Sequence, residues 1–199
     1  MLNKDFKEFV GLLNSTGVEW MLVGGYALAA HGRPRYTGDL DIWVDADPAN
    51  VRLLLRALDL FGFGSLGLID ADFLQPDAVV QLGYPPARID LLTSIDGVRF
   101  GECYPRRMTL SVSGVDLPII NLQDFRANKL ASGRLKDSAT MRLWLRNPVD
   151  SRRGWCSPRA QHQADPPPQP RHFIRFACRL GPQHLHVQPR QQRTAPALR

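Results

Sequence analysis

The apolar positions of the first 140 residues alternate between two periods. Over residues 2–14, Phe6, Phe9, Val10 and Leu13 recur at three- and four-residue intervals, which predicts an amphipathic helix packed on a sheet and ended by Gly17. A first strand is expected over 19–23. The Gly24-Gly25 pair and a small-residue helix over 26–31 follow, and Gly32-Arg33-Pro34 stops that helix because proline cannot continue the hydrogen-bond ladder. In Asp39-Leu40-Asp41-Ile42-Trp43-Val44 the period falls to two. Asp39 and Asp41 share one strand face, and Leu40, Ile42 and Val44 share the other.

Further on, Asp47-Pro48 opens a helix with a capping acid and a proline at its first position. Val51, Leu54, Leu55 and Leu58 form its apolar stripe as far as about Phe61, and Gly62 ends it. Two short strands are expected over 79–82 and 87–92, separated by Gly83-Tyr84-Pro85-Pro86. Segments 109–112 and 115–120 flank Ser113-Gly114 as a hairpin, and Asn121 caps a helix running through Leu130. Trp20, Trp43, Phe61 and Phe63 read as core aromatics rather than as a platform for stacking bases.

After residue 140 the periodicity stops. The chain has 199 residues and a formal net charge of +6, but the charge is unevenly spread: residues 1–140 carry −3 and residues 141–199 carry +9. Nine of the 16 prolines and four of the five histidines fall in this second part, which includes Pro166-Pro167-Pro168 and repeated Gln and Arg. The expected organisation is one domain over 1–140 and a basic tail over 141–199 that is disordered or results from a change of reading frame near residue 138. A real basic tail would attract RNA without sequence preference. The tail residues Cys156, His162, His172, Cys178, His184 and His186 lack the paired short spacing of a structural zinc site. Three cysteines suit a reducing compartment, no apolar run reaches the roughly 20 residues of a membrane span, and the charged N-terminus has no signal-peptide core. These features point to a cytoplasmic protein with no membrane partner.

The chemistry concentrates around Asp39 and Asp41. Two carboxylates about 7 Å apart along a strand repel each other and gain nothing from burial. A hard divalent cation gives them a purpose, since Mg²⁺ is usually held by one or two carboxylates plus substrate phosphates. Gly24 and Gly25, after a strand and before a helix, allow close approach of backbone to a phosphate, and a helix start favours an anion.

Gly24-Gly25, thirteen intervening residues and Asp39-x-Asp41 between apolar neighbours together resemble the signature of the DNA polymerase β-like nucleotidyltransferase superfamily. The resemblance covers roughly residues 6–137. It implies an α/β (mixed α+β) fold, a mixed sheet flanked by helices, and a third carboxylate on a neighbouring strand, for which Asp90 in Ala87-Arg88-Ile89-Asp90-Leu91-Leu92 is the match. The branch it resembles is that of the AbiE-type abortive-infection toxins and uncharacterised bacterial nucleotidyltransferases. Those proteins carry a Lys on a helix after the sheet and an Asp a few residues later, matched by Lys129 and Asp137. The lead-in Arg35-x-Thr37-x-Asp39 also resembles this branch. From Ser138 onward the chain departs from the acidic, apolar helix that normally follows.

The implied activity is transfer of a nucleoside monophosphate from an NTP to an acceptor, with release of pyrophosphate. Asp39, Asp41 and Asp90 would hold two Mg²⁺ ions, Asp90 would also help deprotonate the acceptor hydroxyl, and Lys129 would reach the phosphates. RNA such as tRNA is the favoured acceptor. The implied context is toxin–antitoxin or phage defence, with a cognate antitoxin or toxin protein as partner. Arg35 and Thr37 would steer the triphosphate. Each role has a plainer rival: Asp39 and Asp41 as solvent-facing strand residues, Asp90 as a turn cap, Gly24 and Gly25 as packing glycines, Arg35 and Thr37 as loop-shaping residues. For Lys129, Arg134 and Lys136 the rival is a basic helix end that complements the dipole. His31 reads as a structural cap rather than a base. The alternative function is a non-catalytic nucleotide-binding or antitoxin-like module of the same fold.

Overall fold

A computed structural model describes residues 3–34, 36–75, 77–84 and 86–133, with the backbone of one further strand at 172–176. Arg35, Asp137 and the tail's cysteines lie outside the described residues. Helix α1, Lys4–Thr16, begins two residues later than its apolar pattern predicts because the Asn3 side chain caps it, accepting the Phe6 N–H at 2.7 Å. Gly17 ends it in the left-handed conformation, with φ +77°. Strand β1, Trp20–Leu22, leads into helix α2, Gly24–Ala30, which takes the glycine pair into its first turn. Strand β2, Asp39–Val44, is followed by helix α3, Pro48–Leu58, whose cap Asp47 accepts from the Ala49 and Asn50 N–H groups. A π-type turn at Asp59–Phe63 extends α3, and Gly62 breaks it with φ +95°.

The second half adds α4, Ala71–Leu74, then β3, Ala78–Leu82, β4, Arg88–Leu92, and α5, Phe100–Cys103. The two short helices had no periodic signal, being about one turn each. Strands β5, Met108–Val112, and β6, Val115–Ile119, form the expected hairpin, with Ser113 and Gly114 both at positive φ (54° and 79°). That pair of left-handed residues matches the twist of a tight two-residue hairpin. Helix α6, Leu122–Ala131, is capped by Asn121, which accepts from the Asp124 N–H.

The strands form one mixed sheet in the order β5-β6-β1-β2-β4-β3, and helices flank it. Strands β1–β2, β3–β4 and β5–β6 pair antiparallel, and β2–β4 and β1–β6 pair parallel. A seventh strand, β7, His172–Phe176, pairs parallel along the outer edge of β3, within the stretch where periodicity predicts no element. An edge strand offers unpaired backbone groups to any extended segment, so pairing there needs no side-chain pattern.

The core brings together Phe6, Phe9, Val10 and Leu13 of α1, Val51, Leu54 and Leu58 of α3, and Leu40, Ile42 and Val44 of β2. Trp20, Trp43 and Phe63 are buried, and Phe61, partly buried, packs edge to face on Phe63 against the core, where these aromatics are expected. Buried Asn50 stitches three elements: its Oδ1 accepts the Glu19 N–H, and its Nδ2 donates to the carbonyls of Glu19 and Asp45. Among the described residues, no helix is long and apolar enough to cross a membrane.

Candidate functional site

The two central parallel strands assemble the site. Their register sets Asp39 opposite Arg88 and Asp41 opposite Asp90. Side chains two apart on a strand share a face, so all four project from the same side of the sheet. Gln81 joins them from β3, opposite Asp90. On the other side, Leu40, Ile42, Ile89 and Leu91 are fully buried. The strand pair is thus held by its apolar face and functionalised on its polar one.

Gly24 and Gly25 have a local reason to be glycine. Gly24 has φ +62°, and a Cβ there would lie 1.9 Å from Asp41 Oδ2. Both the left-handed backbone and the close approach of the carboxylate exclude a side chain. A Cβ on Gly25 would meet the Thr37 side chain at 2.7 Å, while the Gly25 N–H bonds to Asp41. The pair therefore admits Asp41 and Thr37 against the first turn of α2. Thr37 in turn shapes the entry to β2: its hydroxyl donates to the Asp39 carbonyl at 3.2 Å and accepts the Asp39 N–H.

The electrostatics of the three carboxylates differ. Asp41 is pushed up to about 6, first by burial, then by the charges of Asp90 and Asp39; Lys129 and the Gly25 N–H pull it down. Asp39 is also raised by burial, with Arg88 opposing and Asp90 adding to the shift. Asp90 is buried and bound on both oxygens. Arg88 Nε donates to its Oδ1 at 2.8 Å, Arg88 Nη2 donates to its Oδ2 at 3.0 Å, and Gln81 Nε2 reaches the same Oδ2 at 3.3 Å. Arg88 Nη2 also holds Asp39 Oδ2 at 2.6 Å. The other oxygen, Asp39 Oδ1, is shielded from solvent and has no hydrogen-bond partner.

Lys129, on α6, sits with its Nζ 5.3 Å from the centre of the Phe125 ring, and its charge is felt at Asp41. Helix α6 starts where β6 ends, and β6 adjoins β1, so the sheet order brings this distant lysine back to the acidic face. His31 ends α2 with its Nε2 2.9 Å from the Ile120 carbonyl, the structural role expected of it. Arg88 and Gln81 are not marked out by their sequence context. The signal for Arg88 is its place two residues before Asp90 on a strand; Gln81 becomes part of the site only through the antiparallel β3–β4 register.

Whether a divalent cation suits these residues can be tested on their oxygens. Asp39 Oδ1, enclosed and unpartnered, and the crowded, raised carboxylate of Asp41 form a hard oxygen donor set that a cation would satisfy. Asp90 differs, since both its oxygens already accept N–H donors. Among the described residues no group of three or more His, Cys, Asp or Glu side chains is arranged to hold a metal ion.

No protein-family model and no curated protein matches the chain. Among solved structures it is similar to one from Thermotoga maritima described as a "putative nucleotidyltransferase", at 17% identity, over 71% of this chain and 90% of that one, with a TM-score of 0.47. A likeness of that extent carries no weight for the activity.

Proposed function

We propose that the acidic face of β2 and β4 is the active site of a metal-dependent nucleotidyltransferase. The observation that carries this reading is the β2–β4 register. It gathers Asp39, Asp41 and Asp90 on one half-buried face, next to a glycine pair shaped around Asp41 and within the field of Lys129. Three like charges kept together raise one another's cost of ionisation, and clustered carboxylates of this kind mark a functional site rather than a packing device.

In this reading Asp39 and Asp41 hold a Mg²⁺ ion, which when bound neutralises triphosphate charge and favours departure of pyrophosphate. The chain's own residues do the rest. Lys129 adds a positive charge on the same side for the phosphates, and Thr37 holds the loop that delivers Asp39. An acceptor hydroxyl forms a bond to the α-phosphorus, the bond from that phosphorus to the β-phosphate oxygen breaks, and the hydroxyl proton passes to a base or to solvent. The acceptor in this reading is an RNA such as tRNA, supported by the +9 charge of residues 141–199 and by the resemblance to AbiE-type toxins. That same resemblance supports a role in toxin–antitoxin pairing or phage defence.

The experiment is transfer of label from each α-labelled NTP to total RNA and to protein with Mg²⁺, using the full chain and its Asp39→Ala/Asp41→Ala variant. Labelled RNA that vanishes in the double variant is the expected result. A second reading is favoured by one observation, the Arg88 ion pairs that already neutralise part of the face: a nucleotide-binding module that does not catalyse. Nucleotide binding without transfer would establish that module instead.

A further inference from the structure

Arg88 occupies the middle of the acidic face. It stands opposite Asp39 in the parallel ladder and two residues before Asp90 on its own strand, so backbone register alone delivers its side chain to the carboxylates. The guanidinium makes three contacts there, one to Asp39 Oδ2 at 2.6 Å and two to Asp90 at 2.8 and 3.0 Å. A fork with several fixed donors on a carboxylate is among the strongest hydrogen-bonded arrangements available to a side chain. It is also largely withdrawn from water, with 23% of the Arg88 side chain and 10% of the Asp90 side chain exposed. Breaking such a pair leaves a poorly solvated charge, which is costly.

The oxygens left over are few. Both oxygens of Asp90 accept N–H donors, and Gln81 adds a second donor to Oδ2. Asp39 gives one oxygen to Arg88 and keeps Oδ1, which is enclosed and without a partner. Asp41 shares that strand face, its carboxylate against the bare Cα of Gly24. The donors that remain, Asp39 Oδ1 and the Asp41 carboxylate, would serve one hard cation. A second ion using Asp90 would have to expel a guanidinium and an amide and then sit beside the displaced positive charge.

We propose that Arg88 takes, from within the sheet, the place of a second divalent cation, so that the resting site binds one divalent ion rather than the pair expected from the family resemblance. Arg88 is on this view a positioning residue: it holds Asp39 in place for the resident ion and keeps Asp90 neutralised without a metal. The inference rests on the metal-binding part of the proposed function.

The test counts Mn²⁺ bound to the full chain without nucleotide, by electron paramagnetic resonance of free and bound Mn²⁺. The expected result is one ion per wild-type chain and two per Arg88→Ala chain, with spin–spin broadening in the variant as the two ions come close. Two ions on the wild type, or no second ion on a folded Arg88→Ala chain, would overturn the inference. If Arg88→Ala does not fold, Asp90→Asn carries the test. One ion with affinity changed by less than about threefold supports Arg88 as the counter-charge, and loss of an ion overturns it. The two readings fail differently. A wild-type chain that binds no Mn²⁺ and transfers no label removes the proposed function together with this inference, whereas one that binds two ions and transfers label removes only the role of Arg88.

Discussion

The two faces of β2 carry opposite burdens. Leu40, Ile42 and Val44 are buried without any exposure and join α1 and α3 in the core. One residue away on the same backbone, Asp39 and Asp41 are raised toward protonation by burial and by neighbouring carboxylates. The first face drives folding through removal of apolar surface from water. The second opposes folding and is held in place by the first. The lesson is that a strand concentrates charge most safely where its other face is most thoroughly anchored.

The largest effect that tests this contrast belongs to the apolar face. Ile42→Ala is expected to cost about 2–5 kcal/mol in urea unfolding, as buried large-to-small changes do. A loss much below that range would mean the polar face contributes more to stability than its burial suggests. Next comes Gly24→Ala, which places a side chain at φ +62° and drives its Cβ into Asp41. It should destabilise by about 2 kcal/mol and remove the site geometry, read as loss of Mn²⁺ binding.

Asp41→Asn should act with the opposite sign. With its pKa raised from an ordinary 3.8 to about 6, the folded state disfavours the ionised carboxylate. The penalty is therefore full above about pH 6, shrinks as pH falls through that value, and is gone below about pH 4. In metal-free protein at pH 7.5, Asp41→Asn is expected to raise stability by about 1–3 kcal/mol, since each tenfold weakening of the carboxyl's acidity on folding costs about 1.4 kcal/mol. The gain should fade at pH 4, and Mg²⁺ should raise Tm for the wild type only. Equal stability of the two proteins at pH 7.5 would break the contrast between the faces.

The smallest effect concerns Lys129, whose charge lowers the Asp41 value. Lys129→Met should move the pH midpoint of that stability change upward by a fraction of a pH unit. An unmoved midpoint would show that α6 does not reach the acidic face electrically.

Much of this was legible along the chain, for reasons that are local. Period-two alternation at 39–44, the caps Asn3, Asp47 and Asn121, and the Ser113-Gly114 hairpin act through neighbours within a few residues, so their consequences appear in the sequence itself. The glycine pair was legible as a special position but not for its reason. The phosphate approach expected of it rests on the sequence pattern, whereas the observed cause is the room it leaves for Asp41 and Thr37. Arg88 was the least legible part of the site. Its spacing of two from Asp90 was the one local signal; that Asp39 stands opposite it depends on register with a strand about 50 positions away. The strand His172–Phe176 was hidden for a related reason, since its pairing is backbone to backbone and lacks a side-chain period.

By itself, then, the sequence determined the elements, the acidic face of β2 and the residues that had to be glycine. These follow from torsion preferences and from the strand's period of two. Only the tertiary structure decided that Asp90 and Arg88 share that face, that Arg88 forks between two carboxylates, and that Lys129 returns to it from α6. Those facts depend on strand order and register. Both are set by how the buried faces of distant segments fit together, a collective choice that no single stretch of the chain encodes.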